Sequence, residues 1–210
     1  MTPPTTERAE VSPAPGTAVE QASDTALLVM DVQSMIVAPA PAEMLAAVAR
    51  AIAGARTARV PVVYVRVALR PGRAGVSPRN KRLTRLHADL LEGAPGLEFH
   101  PAIAPEPDDI VLTKHRVSAF AGSGLDVLLR SLGTTHLVLT GVSTSTVVLM
   151  TAMTAADLDL GITVLSDGCF DSRARVHHML MGDIFPSMAT VATADEWLSG
   201  LAISISPARG

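Results

Sequence analysis

Three separated pieces of this chain carry groups that can do chemistry, and each follows an apolar run. Asp31 lies in Leu27-Leu28-Val29-Met30-Asp31-Val32-Gln33, Lys114 opens the polar break in Thr113–Phe120, and Gly141 leads the turn Thr140–Val148. A carboxylate at the end of an apolar strand is costly to bury without a partner. A lysine ammonium beside it lowers the carboxylate's pKa and can also stabilise an oxyanion. An acid, a lysine and a glycine-led turn therefore read as one active site, assembled at the strand ends of an α/β sheet. Plainer roles exist for each residue. Asp at a strand end often anchors a loop, an exposed lysine is normally a solvated charge, and Thr144, Ser145 and Thr146 are natural helix-capping residues. The Gln33 amide suits either tying a loop backbone or meeting a substrate.

Positioning those groups requires strands that end where they stand. Ala26–Val32 is a continuous apolar run of the kind buried on both faces of a parallel sheet. Pro61–Val67, Asp109–Thr113, Leu137–Thr140, Gly161–Leu165 and Thr190–Val191 supply five more strands. Helices are predicted over Ala42–Arg56, Leu83–Leu91, Gly124–Leu132, Ser145–Leu158 and Arg173–Ile184, with a terminal helical turn over Asp195–Ser199. This alternation predicts a three-layer αβα sandwich around a central, mostly parallel six-stranded sheet. Ligands in such sheets bind beyond the carboxyl ends of the strands, where Asp31, Lys114 and Gly141 all fall. The segment Ser77-Pro78-Arg79-Asn80 looks like a lid between the second and third strands. Arg66, Arg70, Arg79 and Asn80 are candidates there for a carboxylate-bearing substrate, which a guanidinium grips in bidentate fashion. Solvated loop arginines are the alternative.

Composition narrows the classes of function. A length of 210 residues fits one domain with a sizeable core. With aromatics at only 3%, that core must be built from Ala, Val, Leu and Met. A net charge of −3 offers no electrostatic case for nucleic acid or an anionic membrane, and no apolar run is long enough to suggest a span. The single cysteine, Cys169, forbids an internal disulfide and fits a reducing, cytoplasmic setting. Residues 1–22 carry Pro3, Pro4, Pro13 and Pro15 with few apolar side chains, and have no basic start leading into an apolar stretch. They are expected to be a disordered tail rather than a secretory signal. The folded domain is expected over residues 23–203, with a short tail at 204–210. The adjacent His177 and His178 point to different helix faces, and the other histidines are scattered, so no metal and no cofactor are expected.

Taken together, the Asp31-x-Gln33, Lys114–Phe120 and Gly141–Val148 segments resemble the isochorismatase-like, or cysteine hydrolase, superfamily, over about Thr25 to Ser199. The resemblance implies that Asp31 is the general acid or base, with Lys114 facing the same pocket. It implies that Phe120 lines that pocket and that Gln33 contacts substrate or ties a loop. It also implies a non-proline cis peptide at Val142–Ser143, where the bend presents backbone N–H groups to the substrate, alongside Thr146 and Val147. Most members place cysteine six residues after the glycine. That position is Val147 here, which rules out the usual covalent route. Cys169 matches a second cysteine of the family, after the next strand, and is read as a small buried side chain. A homo-oligomer, dimer or tetramer, is expected from the resemblance alone.

Three functions remain. Isochorismatases and phenazine-pathway relatives cleave a vinyl ether by protonation from the Asp, and some of them lack the cysteine. Their usual Gly-Val-Tyr-Ala-His turn is Gly-Val-Ser-Thr-Ser here, without the aromatic and the imidazole. The others are hydrolysis of an activated amide by direct attack of water, and a non-catalytic binding or scaffold role. Cysteine-independent hydrolysis of a small, carboxylate-bearing metabolite is the leading expectation.

Overall fold

Aliphatic and β-branched runs form six strands: β1 (Thr25–Met30), β2 (Val62–Val67), β3 (Ile110–Lys114), β4 (His136–Val142), β5 (Gly161–Phe170) and β6 (Thr190–Ala192). The computed structural model describes residues 24–72 and 75–205, so both expected tails lie largely outside it. The strands make one sheet in the order β3-β2-β1-β4-β5-β6, and every neighbouring pair is parallel. The order reverses between β1 and β4, which is where a doubly wound sheet opens a crevice for ligands.

The helices are α1 (Ser34–Val37), α2 (Ala42–Thr57), α3 (Lys81–Leu86), α4 (Leu125–Leu132), α5 (Leu149–Asp157), α6 (Ala174–Met179) and α7 (Ala194–Ile205). Helix α2 buries Met44, Ala47, Val48, Ala51, Ile52 and Ala55, a spacing that keeps one apolar stripe on the sheet. Glu43 in its first turn and Arg56 in its last complement the helix dipole. Two cores form because β-strand side chains alternate between faces. On one face Leu28, Met30, Val63 and Val65 meet Leu125, Leu129, Ala152 and Phe185. On the other Leu27, Val29, Val62 and Tyr64 meet α2 and the half-buried Trp197 and Leu201 of α7. A third, smaller cluster pins residues 76–97 onto the end of β2, with Val76, Leu83, Leu90 and Leu97 packed around Val67 and Leu69.

Several elements differ from their sequence expectations. The helix expected over Leu83–Leu91 is Lys81–Leu86, and the one expected over Arg173–Ile184 is α-helical only over Ala174–Met179 and then widens into a π-helical turn, Leu180–Ile184. Strand β5 runs ten residues, to Phe170, because its polar Ser166-Asp167-Gly168 stretch is carried through by renewed pairing of Cys169 with Gly141 and Phe170 with Val142. The last helix runs to Ile205 rather than ending at Ser199, so the expected tail at 204–210 begins inside it. It starts with a capping box: Glu196 accepts from the Thr193 N–H at 2.7 Å, and the Thr193 hydroxyl oxygen accepts from the Glu196 N–H at 3.2 Å. The helix expected from Ser145 opens instead with a wide π-helical turn, Thr144–Val148, before α5. None of the helices among the described residues is long and apolar enough to cross a membrane.

Gly141 fixes the seam between β1 and β4. Its φ of 146° lies where glycine alone is at ease. A Cβ there would also overlap the Met30 carbonyl oxygen, a backbone atom of the paired strand. Gly141→Ala is expected to lower stability by about 1–3 kcal/mol, the usual cost of forcing extra volume into a packed site. A shift of the urea midpoint to lower concentration at unchanged slope is the corresponding observation.

Candidate active site

Strands β1 and β3 are separated by β2, so neighbouring spacings of about 4.8 Å put them roughly 10 Å apart. A short acid on one and a long amine on the other bridge that gap over the end of β2. Lys114 Nζ lies 2.9 Å from Asp31 Oδ2 and also donates to the Arg116 carbonyl at 2.9 Å. An ammonium has three donors, so one remains. Both residues are buried, Asp31 at 6% and Lys114 at 2% exposure. The other carboxylate oxygen, Oδ1, is buried with no hydrogen-bond partner among the described residues. Asp31 also holds φ at 55°, a left-handed conformation that Asp tolerates better than most residues but that still costs about 1 kcal/mol.

Burial pushes the Asp31 carboxyl up from its ordinary value, and the Lys114 charge and hydrogen bond pull it only part of the way back. This reverses the sequence expectation that the lysine would set the direction. Desolvation wins because no backbone N–H or water-facing surface shares the burden at Oδ1.

Asp31 and Lys114 form the floor of a cavity of about 170 Å³, which also meets Val142, Ser143 and Thr146 of the turn after β4. The Val142–Ser143 peptide is cis. Ser143 Oγ and Thr146 Oγ1 share a hydrogen bond of 2.9 Å, so these two hydroxyls form one polar wall. The rest of the lining mixes the apolar Val67, Leu83, Leu86 and Leu90 with the charged Arg82, Asp89 and Arg116.

Several expected site residues lie elsewhere. Gln33 is fully buried and its amide is spent on backbone: it donates to Val67 O at 3.0 Å and Leu97 O at 2.9 Å, and accepts from Val67 N at 2.8 Å. It ties the 76–97 segment to β2 and does not line the cavity. Val147 is 1% exposed and packs in the core under the sheet, away from the cavity. Phe120 packs against the same core, and Val117 lines the cavity in its place. Arg79 is exposed, and the Asn80 side chain caps α3 by accepting from Leu83 N at 3.1 Å. One helical turn of offset puts Arg82, not Arg79, on the cavity, with Arg116 the second guanidinium there. Arg66 bonds to the Thr113 hydroxyl.

Sequence reasoning missed the bracing behind the turn. Asp171, buried at the end of β5, accepts from Ser145 N at 2.9 Å and from Arg173 N at 3.1 Å. Burial would raise its carboxyl, but these bonds together outweigh that and hold it below the usual value. His177 Nδ1 pairs with the Thr144 hydroxyl at 2.9 Å. The acid in Asp167-Gly168-Cys169-Phe170-Asp171 was the available signal, but nothing in the sequence links it to Ser145 across β4. Cys169 is buried against Leu139 and does not line the Asp31 cavity, and burial pushes its thiol up to about 12. No group of three or more His, Cys, Asp or Glu side chains among the described residues is placed to hold a metal ion.

Residues 25–196 match the Isochorismatase domain. The chain belongs to the isochorismatase family. Within it, the sequence is 31% identical to the ureidoacrylate amidohydrolase RutB of Pantoea ananatis, over 68% of each chain. It is 35% identical to the phenazine biosynthesis protein PhzD1 of Pseudomonas aeruginosa over 50% of this chain and 54% of that one. Among solved structures, an isochorismatase family protein from Burkholderia thailandensis superposes with a TM-score of 0.74 at 30% identity, covering 85% of this chain and 96% of that one. The all-parallel sheet and its flanking helices are thus the isochorismatase fold, and the protein is a hydrolase of that superfamily.

Two outcomes follow from the burial of the ion pair and of Gln33. Lys114→Met leaves a buried carboxyl without its cation and is expected to cost about 3 kcal/mol at pH 8. Because the folded-state pKa of Asp31 is raised, the lost stability returns as the pH falls and the carboxyl protonates. Urea unfolding at pH 8 and pH 5 should therefore show a larger deficit at the higher pH. Gln33→Ala orphans three buried backbone groups and is expected to destabilise by about 2–4 kcal/mol. Chemical denaturation of that variant measures the loss directly.

Proposed function

We propose that this isochorismatase-family hydrolase cleaves a small, carboxylate-bearing vinyl ether by acid–base chemistry at Asp31, without a cysteine nucleophile. The observation that carries the proposal is the buried Asp31 carboxyl, pushed upward in pKa and with Oδ1 unpartnered among the described residues, on a residue lining a cavity that Cys169 does not line. A carboxyl whose pKa is raised holds its proton to higher pH than an ordinary one and can serve as a general acid, and proton transfer from such a group is worth about 10²–10⁴ in rate.

In this route Asp31 gives its proton to the terminal vinyl carbon, and the C–O carbon takes up positive charge. Water adds to that carbon and returns a proton to Asp31. The hemiketal then breaks to the alcohol and the keto acid, so one water is consumed and the catalyst is restored. The Lys114 ammonium, 2.9 Å from Oδ2, stabilises the carboxylate left after the first transfer. Arg82 and Arg116 on the cavity wall suit a substrate carboxylate. The apolar side chains of the lining shield the charged intermediate from bulk water. The likeness to PhzD1 supports this class.

The likeness to a ureidoacrylate amidohydrolase favours a second reaction at the same floor, in which ionised Asp31 activates water against an activated amide. The two need opposite protonation states of one carboxyl, which separates them.

Pyruvate release from isochorismate and its amino analogue, beside ammonia release from ureidoacrylate, is the test. Vinyl-ether cleavage is expected, falling as the pH rises through the Asp31 titration and dropping by about 10²–10⁴ in Asp31→Asn. Turnover that instead rises with pH and releases ammonia would establish the amide reaction. Pyruvate release at full rate from Asp31→Asn would overturn both mechanisms. A folded wild type inert toward all three substrates would remove both substrate classes.

A further inference from the structure

A second cavity, of about 320 Å³, adjoins the first across Arg116, which lines both. Arg70 and His115 complete its basic lining, with Gly75, Ala121 and Gly122, and no acidic residue among the described residues lines it. We propose that this cavity is an anion site for a phosphoryl group.

The three basic residues come from separate loops that the fold brings together. Arg70 follows β2, and His115 and Arg116 follow β3. Each has a backbone or side-chain anchor. His87 Nε2 lies 3.0 Å from the Arg70 carbonyl oxygen, which holds the backbone at that corner. Arg116 Nη1 donates to the carbonyls of Gly75 at 3.0 Å and His115 at 2.6 Å, while Nε and Nη2 have no partner among the described residues. His115 Nδ1 lies 2.7 Å from the Ala68 carbonyl oxygen, so that nitrogen carries the proton and donates. Nε2 is then the ring nitrogen with no partner among the described residues. The Arg70 guanidinium is exposed and likewise makes no ion pair among the described residues.

Gly122 lines the cavity at a φ of 81°, a left-handed backbone that favours glycine. Two guanidiniums, neither in an ion pair among the described residues, attract an anion where the walls exclude part of the solvent. A carboxylate is satisfied by one arginine fork, whereas a tetrahedral dianion offers oxygens to both guanidiniums at once. The shared wall at Arg116 admits two sources of that chemistry: a phosphoryl tail on the substrate, or a separate phosphorylated effector.

Calorimetric titration of the full chain with inorganic phosphate tests the site, with Arg70→Gln and, as a surface control, Arg85→Gln on α3. Saturable binding is expected, weakened about tenfold or more in Arg70→Gln, unchanged in Arg85→Gln, and diminishing as sodium chloride is added. Absence of saturable binding, or equal affinity in wild type and Arg70→Gln, overturns the proposal. Equal weakening in both variants also overturns it, since it would mean attraction to net charge alone. Phosphate that competes with substrate identifies a substrate tail; phosphate that binds without competing identifies an effector.

Discussion

The buried pairing of Asp31 with Lys114 is the constraint around which the rest of the site is arranged. Two charges removed from water are tolerable only when each has a partner and the remaining hydrogen-bonding capacity is met. Lys114 meets the condition through Asp31 and the Arg116 carbonyl. Asp31 does so only on one oxygen, and that imbalance is what raises its pKa. Had Oδ1 also been bonded to backbone, the same pair would be an inert structural bridge. An unsatisfied buried oxygen is costly to fold, a kind of local strain that functional sites tend to hold. The left-handed backbone at Asp31 is a second cost at the same residue.

That cost requires rigid surroundings. The parallel sheet supplies them at the floor, where Asp31 N donates to Val65 O and the β1 register against β2 and β4 sets the height of the carboxylate. Gln33 supplies them at the side, by binding the 76–97 segment to β2 through both ends of its amide. Asp171 and His177 supply them behind the turn, gripping Ser145 N and the Thr144 hydroxyl from β5 and α6. The turn that faces the cavity with Ser143 and Thr146 is therefore braced from the side away from the substrate. Of these supports only Gln33 stands near Asp31 in sequence. Strand β2 follows some thirty residues on, and β4, Asp171 and His177 arrive from more than a hundred residues away.

Charge is distributed unevenly around this centre. The chain as a whole is slightly acidic, yet Arg82, Lys114 and Arg116 outnumber Asp31 and Asp89 around the cavity, and Arg70 and His115 lie beyond it. A net charge of −3 thus says little about the local field, because field depends on which loops converge and not on the sum.

Much of the protein was legible in the sequence alone. Strand β1 with its terminal acid, helix α2 with its apolar stripe, and the alternation that makes a parallel sheet are all local patterns, and local patterns survive without knowledge of neighbours. The same is true of Asp31, Lys114 and Gly141, since each is the odd residue at the end of an apolar run. Side-chain direction was not legible. Arg79 and Arg82 differ by three positions at the start of a short helix, and only the packing of Leu83 and Leu90 decides which faces the cavity. Val147 likewise follows the turn in sequence but is rotated into the core, because the chain opens α5 with a π-helical turn in place of an α-helical one. The sequence determined which groups stand at the strand ends. Tertiary structure decided which of them are desolvated and which remain unpartnered, because burial and hydrogen-bond satisfaction depend on distant residues, and burial is what raises the Asp31 pKa.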